Sequence, residues 1–395
     1  MTPLLVWARR SVAVALAPVL FAALALAAWS SDGWQYEWLW GMRNPVSILA
    51  LISPLVAAGV AFDTSRRWTP VVKVLGPSAR RWRRASLAVP AVHVLWAFAC
   101  LCAVWAAAAV RLGLNDAITR PDPWLPFEAL ASLAAAAAVG LVVGTYVPDA
   151  AAPPVAAIGV FATTAFASTF GLSGLFSPMG LSSSVVGLTR DPQAAALLIG
   201  LNVAVAVLCC LVALRGPRPS LPWAAGEAFL VAVVIALLAV PVPEYDFRPV
   251  GGPTVCAARA DVRVCGPQAA EPLIQDLSLG LQQAVGSLTG LPFPKTYELG
   301  LPGVTPPIDA GRAVVVVSPA MLNGPKRTGT VAGILSQPRV CPQLLDAGPD
   351  TTPLLDRQAQ VRAWILDALR AGGASAPASI TAAYDELLTC RPTRP

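Results

Sequence analysis

Residues Ala194–Leu214 read AAALLIGLNVAVAVLCCLVAL, with no Asp, Glu, Lys or Arg among them. A bilayer core of about 30 Å is crossed by about 20 predominantly apolar residues of helix, so this stretch alone turns the reading towards a membrane. Six more of the same kind lie in the first 242 residues, near Val12–Trp29, Val46–Phe62, Leu87–Val110, Phe127–Val147, Val155–Gly174 and Trp223–Val242. Pro, Gly, Trp and charged residues mark their ends. The second contains Pro54, and the start of the fourth brings Glu128 close to an aqueous edge.

Composition agrees. The chain has 395 residues, 56% hydrophobic and 13% charged, about half the charge of an ordinary soluble domain. Disorder, collagen and a small disulfide scaffold are excluded. The one histidine, His93, forbids a multi-His metal site, and a His-based triad would need it in a water-accessible cleft. No GxxxxGK[ST] run occurs, so the chain binds no nucleotide through a P-loop of its own. We expect no cofactor, no metal, no nucleic-acid partner and no enzymatic activity in this chain. Arginine outnumbers lysine 25 to 3, which suggests a GC-rich bacterial genome.

Short-loop charge sets the orientation. With the N-terminus inside, the cytoplasmic segments hold Arg9, Arg10, Arg66, Arg67, Lys73, Arg80, Arg81, Arg83, Arg84, Arg215 and Arg218, against Arg43, Arg111, Arg120 and Arg190 on the other side. Seven spans then put everything after Pro243 outside. Arg9, Arg10, an apolar run and Ala25-Leu26-Ala27 also imitate a secretory signal; cleavage there would leave six spans and the same outer placement. The expectation is an all-α polytopic bundle of six or seven spans over 1–242, in the bacterial cell membrane, followed by a small α+β extracytoplasmic domain with disulfides over 243–395.

That second part has 13 basic and 13 acidic residues, against 15 and 9 in the first, so the net +6 belongs to the bundle. Cys256, Cys265, Cys341 and Cys390 all lie in it, an even set of the sort an oxidising compartment favours; four buried free thiols is the competing reading. Of three possible pairings we favour Cys256 with Cys265 and Cys341 with Cys390. The first pair flanks a hairpin of Thr254–Cys256 and Val262–Cys265, whose closure would contribute about 2–3 kcal/mol. A helix follows near Glu271–Thr289, then strands near Lys295–Leu299 and Ala313–Ser318, and helices near Leu354–Ala371 and Pro377–Cys390. Val314–Val317 reads as a buried central strand. Asp385 and Glu386 read as a solvated face, and Ser318 lacks a GxSxG setting.

The loop Asp63–Ser86 carries seven positive charges with Trp68 and Trp82 between them. It suits an anionic lipid surface, and equally a docking helix for a cytoplasmic subunit. An acidic residue after the second span, a basic cluster and Leu75-Gly76-Pro77-Ser78-Ala79-Arg80 before the third span resemble the coupling loop of type-two ATP-binding-cassette exporter permeases. The Val255-Cys256-x8-Cys265 start of the second domain resembles that of actinobacterial permease-like membrane proteins encoded beside ABC ATPases. The resemblance covers residues 1 to about 215. It implies a permease subunit of an export system, docking a separate ATPase through Arg66, Arg67, Arg80, Arg81, Arg83 and Arg84, and working as a homodimer or as a heterodimer with another permease. It also implies short half-helices between spans five and six, where Leu175–Gln193 is apolar and rich in Gly and Ser. The seventh span and the outer domain are departures from the family, as is the short stretch before the first span.

In that family the fifth span lines the path, which here implies a pathway along Thr163, Thr164, Ser168 and Thr169; hydroxyls bonded back to their own helix are the plainer reading. Gly140 and Gly144 form GxxxG, usually a packing contact. Glu227 lies inside a span and needs a partner such as Arg215 or Asn202. His93 suits an interfacial hydrogen bond better than proton transport. The alternative function is a membrane-anchored sensor or binding protein whose outer domain recognises a ligand or partner.

Overall fold

A computed structural model describes residues 11–30, 33–68, 87–147, 150–169, 175–178, 184–214, 247–300, 313–339 and 352–390. Among the described residues, five helices are long and apolar enough to cross a membrane: Val12–Trp29 (α1), the run Trp38–Arg66, Ala88–Leu114, Leu125–Tyr146 and Pro192–Leu214. The second run comprises Trp38–Arg43 (α2), a 3-10 segment Asn44–Ile48 and Leu49–Asp63 (α3). It starts eight residues before the span expected from the sequence, because Trp38-Leu39-Trp40 continues the apolar pattern across Arg43. Pro45, which cannot donate a backbone hydrogen bond, falls in the 3-10 piece. Ala88–Leu114 is α4, Leu125–Tyr146 is α5, Ala152–Thr169 is α6 and Pro192–Leu214 is α7. Helix α6 is described over 18 residues, and its side chains over Ala152–Phe166. The expected seventh span Trp223–Val242 and Glu227 within it lie outside the described residues.

Small residues let the helices approach. A Cβ on Gly140 of α5 would collide with the Ala57 carbonyl of α3, and one on Gly144 would lie 2.6 Å from the Ala61 carbonyl, so the GxxxG is a packing contact, as in other membrane helix pairs. Ala57, Ala61, Ala135, Ala136 and Ala156 fill the α3, α5 and α6 contact. Larger side chains, Leu20, Leu24, Ile52, Leu101, Leu133 and Leu141 among them, pack α1, α3, α4 and α5.

The later α/β region starts with strands Thr254–Arg259 and Val262–Pro267 in antiparallel register, Cys256 opposite Cys265 and disulfide-bonded to it. Ala260 turns the chain at φ +49. Thr296–Leu299 pairs parallel to the second of these strands and Ala313–Val315 parallel to Thr296–Leu299, and helix Glu271–Ser287 packs on the sheet through Leu273, Ile274, Leu277 and Leu281. The remaining helices are Pro319–Leu322, Lys326–Leu335, Thr352–Arg370 and Ala378–Thr389. Cys390 is disulfide-bonded; Cys341, its expected partner, lies outside the described residues. Ala313–Val315 ends the described strand order, so it is not central. Its alternation, Ala313, Val315 and Val317 buried and Val316 62% exposed, marks a strand with one face on the core. Glu386 is buried and bonded to Arg357 Nε at 3.0 Å, whereas Asp385 is exposed as expected.

Leu188–Arg190 (β1) and Phe247–Pro249 (β2) form an antiparallel ribbon, Arg190 opposite Phe247. Helix α7 starts two residues after Arg190 and runs 23 residues, about 34 Å at 1.5 Å per residue. Leu214 and Phe247 therefore lie at opposite ends of α7. The α/β region sits at the ribbon end: Val186 belongs to its core, Ile118 packs against it, and a Cβ on Gly33 would lie 2.6 Å from Ala320 Cβ. We predict that Gly140→Leu costs about 1–3 kcal/mol while Gly159→Leu, with open space around it, leaves stability unchanged, as read by melting of the detergent-purified chain. Equal melting of the two variants would contradict this packing.

Candidate functional site

Charge is scarce in the bundle, and five of the acidic and basic side chains that the structure describes are buried in two clusters. At the ribbon end, Arg43 of α2 donates from Nε to Asp122 Oδ2 at 2.9 Å, from Nη2 to the same oxygen, and from Nη2 to Glu128 Oε2 at 2.9 Å. Arg190 donates from Nε to Glu128 Oε1 at 2.9 Å. Both carboxylates and both guanidinium groups are at most 2% exposed. Local sequence places each member. Asp122 also accepts from Trp124 N–H through Oδ1 in the turn that leads into α5, Glu128 lies in the first turn of that helix, and Arg190 is held by the ribbon. Two cations meet two anions, so the cluster is neutral in charge. Phe247 completes it, its ring facing the Arg43 and Arg190 guanidinium carbons at 5.3 and 5.6 Å, within reach of cation–π attraction.

These assignments correct the expectation that Glu128 meets an aqueous edge and that Arg43 and Arg190 act as plain loop charges. Next to the cluster, Glu37 accepts from the Val185 N–H at 3.0 Å and bridges Ile118. Burial raises the Glu37 carboxyl above its ordinary range, opposed by the hydrogen bond from the Val185 N–H.

The second feature is irregular backbone deep in the bundle. Phe176 N–H donates to Asn202 Oδ1 at 3.1 Å, and the Phe176 carbonyl accepts from Ser53 Oγ at 2.6 Å. Phe176 is 4% exposed, packed with Ala57, Ala136 and Val160. Asn202 lies ten residues into α7, about 15 Å below its start, which is half the depth of a bilayer core. Segment 175–178 therefore reaches the middle of α7. Non-helical backbone at such a depth needs protein partners for its polar groups, and Asn202 and Ser53 supply them. Asn202, weighed as a partner for Glu227, serves this hook.

At the opposite end, Ser11, Asp63 and His93 meet. The Ser11 hydroxyl donates to Asp63 Oδ2 at 2.6 Å, His93 Nε2 lies 3.0 Å from the same oxygen and 3.3 Å from Ser11 Oγ, and Val12 N–H donates to Asp63 at 3.1 Å. The residue types match a hydrolase triad, but the geometry does not. In a triad, serine and carboxylate engage opposite ring nitrogens; here both crowd one nitrogen, and serine bonds the carboxylate directly. With Asp63 ionised, its contact with the ring is a hydrogen bond only with the proton on Nε2. Ser11 caps α1, accepting from Ala13 N–H at 3.2 Å, so the trio fastens α1 to α3 and α4. The ring fits because a Cβ on Gly59 would come within 2.8 Å of it.

Of the residues named from sequence, Arg66 is exposed and stacks over Phe62 at 4.8 Å. Arg67 is described only as backbone, in a π-helical turn Thr64–Trp68, and Arg80, Arg81, Arg83 and Arg84 lie outside the described residues. Thr163 and Thr164 bond back to Gly159 and Val160 carbonyls at 2.7 and 2.9 Å, which is the plainer of their two readings; the Ser168 and Thr169 side chains lie outside the description. Among the described residues no group of His, Cys, Asp and Glu is arranged to hold a metal. The four-charge cluster was missed because its members are spread from Arg43 to Arg190. The available signal was that three of them lie at the edge of an apolar run.

No protein-family model, no curated protein and no solved structure matches the chain. Removing one member of a buried ion cluster leaves uncompensated charge and costs about 3–5 kcal/mol. Arg43→Gln should therefore destabilise the chain by that amount in a thermal melt, and Arg120→Gln, at an exposed position, by nothing measurable. The double variant Arg43→Met with Asp122→Leu should recover part of the loss.

Proposed function

We propose that the chain is a permease-like membrane subunit of an ABC-type export system, driven by a separate ATPase that docks on the 63–86 loop. The observation that carries this reading is the hook at Phe176. Transporters build substrate sites near mid-depth from interrupted elements, and here an interrupted element between α6 and α7 reaches mid-depth on Asn202 and Ser53. It occupies the position where exporters of this class carry short half-helices. The trio at Asp63 supports the same reading, since it joins three helices beside the loop where a partner would push.

The orientation follows from two supports. Loop charge assigns the 63–86 end to the cytoplasm, and the ribbon ties Phe247 to the opposite end. On this reading the α/β domain is extracytoplasmic, where its cysteines meet oxidising conditions. A chain that reaches that side after α7 crosses once more, which accords with a seventh span near Trp223–Val242. A homodimer, or a heterodimer with another permease, is the working unit by resemblance.

A second reading, a membrane-anchored sensor or binding protein, is favoured by a cavity of about 540 Å³ on the α/β domain. Purification from the native membrane separates the two. The transport reading predicts a co-purifying ATPase, lost when Arg80, Arg81, Arg83 and Arg84 are replaced by Ala, and predicts that Asn202→Leu lowers export at least about tenfold, a change in barrier of about 1.4 kcal/mol, at unchanged abundance. An intact chain with no ATPase and an export phenotype indifferent to all five substitutions would remove it.

A further inference from the structure

We propose that the cavity on the α/β domain binds an anionic amphiphile, an acyl chain ending in a carboxylate or phosphate, taken up from the adjoining membrane surface. Its volume, about 540 Å³, lies in the range of about 300–1,000 Å³ typical of small-molecule sites. One wall is the strand Ala313–Val315 and its continuation to Val317; the others are the helices Lys326–Leu335 and Thr352–Arg370. Three observations define the ligand.

The wall is apolar where a folded domain would ordinarily be polar. Val316 is 62% and Met321 46% exposed, although the strand's other face is fully used by the core. Charge at the site has one sign: Lys326 and Arg362 line it, and among the described lining residues there is no Asp or Glu. Arg362 makes no ion pair among the described residues, and a trough with one valine and methionine wall and cations of one sign complements a chain with an anionic end.

Glycine keeps the trough open. Gly329 and Gly333 lie four apart on one ten-residue helix and both line the cavity. A Cβ on Gly329 would meet nothing within 4 Å, and one on Gly333 would meet only the Arg362 guanidinium at 3.8 Å. Neither glycine is required by packing among the described residues, yet each costs a helix interior about 1 kcal/mol relative to alanine. What they provide is room for something outside the protein.

Position supplies the source. Met321 belongs to the short helix Pro319–Leu322, whose Ala320 abuts Gly33. Gly33 in turn lines a second cavity, about 390 Å³, with Trp29, Trp34, Arg111, Val110 and Leu114. Tryptophans and arginine beside exposed aliphatic residues at a span's end are the pattern of the headgroup layer. The cleft therefore sits one helix away from lipid headgroups. The proposal is separate from the transport reading, for it needs only the domain docked on the bundle.

The full chain in phosphatidylcholine nanodiscs would be exposed to diazirine-bearing palmitate, hexadecyl phosphate and hexadecanol, and cross-links mapped by mass spectrometry. The expected result is saturable labelling of the 313–337 and 358–362 segments by one or both anions, the preferred one identifying the headgroup, with hexadecanol at least about tenfold weaker, equivalent to about 1.4 kcal/mol. Arg362→Gln, on the surface, and Gly329→Leu, filling the trough, should each reduce that labelling about tenfold without lowering the melting temperature. Equal labelling by hexadecanol, labelling without enrichment in these segments, or labelling indifferent to both variants would overturn the proposal.

Discussion

Four charges buried together at one end of an apolar bundle organise this molecule. Arg43, Asp122, Glu128 and Arg190 come from three separate parts of the chain. None could remain there alone, because an isolated charge in a low-dielectric interior costs far more than any single packing contact returns. The cost is offset only if all four meet. Their meeting fixes where α2 enters the bundle, where α5 starts, and where the strand before α7 runs. Phe247, facing both arginines, extends that constraint to the ribbon strand Phe247–Pro249 that leads into the α/β domain.

The rest of the bundle follows ordinary membrane packing with one exception. Gly140 and Gly144 bring α5 against the backbone of α3, and alanines fill the seam. The exception is Phe176, whose backbone leaves helical geometry at mid-depth and is satisfied by the side chains of Asn202 and Ser53. Hydrogen bonds of this kind specify a place as well as stabilise it. With Ser11, Asp63 and His93 joining three helices at the far end, the bundle carries polar fastenings at both ends and a polar hook between them.

Much of this was legible from sequence where the signal is local. Apolar runs of span length give α1, α4, α5 and α7 within a few residues, since backbone in lipid has few options besides helix. The Cys256 and Cys265 hairpin was legible because nine residues of β-rich sequence around a turn leave the two strands little choice of partner. What escaped reading is non-local. Glu128 looked like a residue at a wet edge, because nothing near it in sequence reveals Arg43 and Arg190. Glu386 looked solvated because Arg357 is twenty-nine positions away. Val314–Val317 looked central because four valines carry no record of which face is covered, and the exposure of Val316 depends on helices that follow later in the chain.

The account stands on the pairing of Leu188–Arg190 with Phe247–Pro249, which, with the contacts of Val186, Ile118 and Gly33, holds the α/β domain at the end of the bundle opposite Leu214. Thr189 and Arg248 face each other across that ribbon and both are exposed. Cysteines introduced at these two positions should join on mild oxidation of the full chain in its membrane, giving one cross-linked peptide by mass spectrometry. A pair at Thr189 and Gly252, outside the ribbon, should not. Failure of the first pair to join, or equal joining of both, would contradict the anchoring of the domain on the bundle.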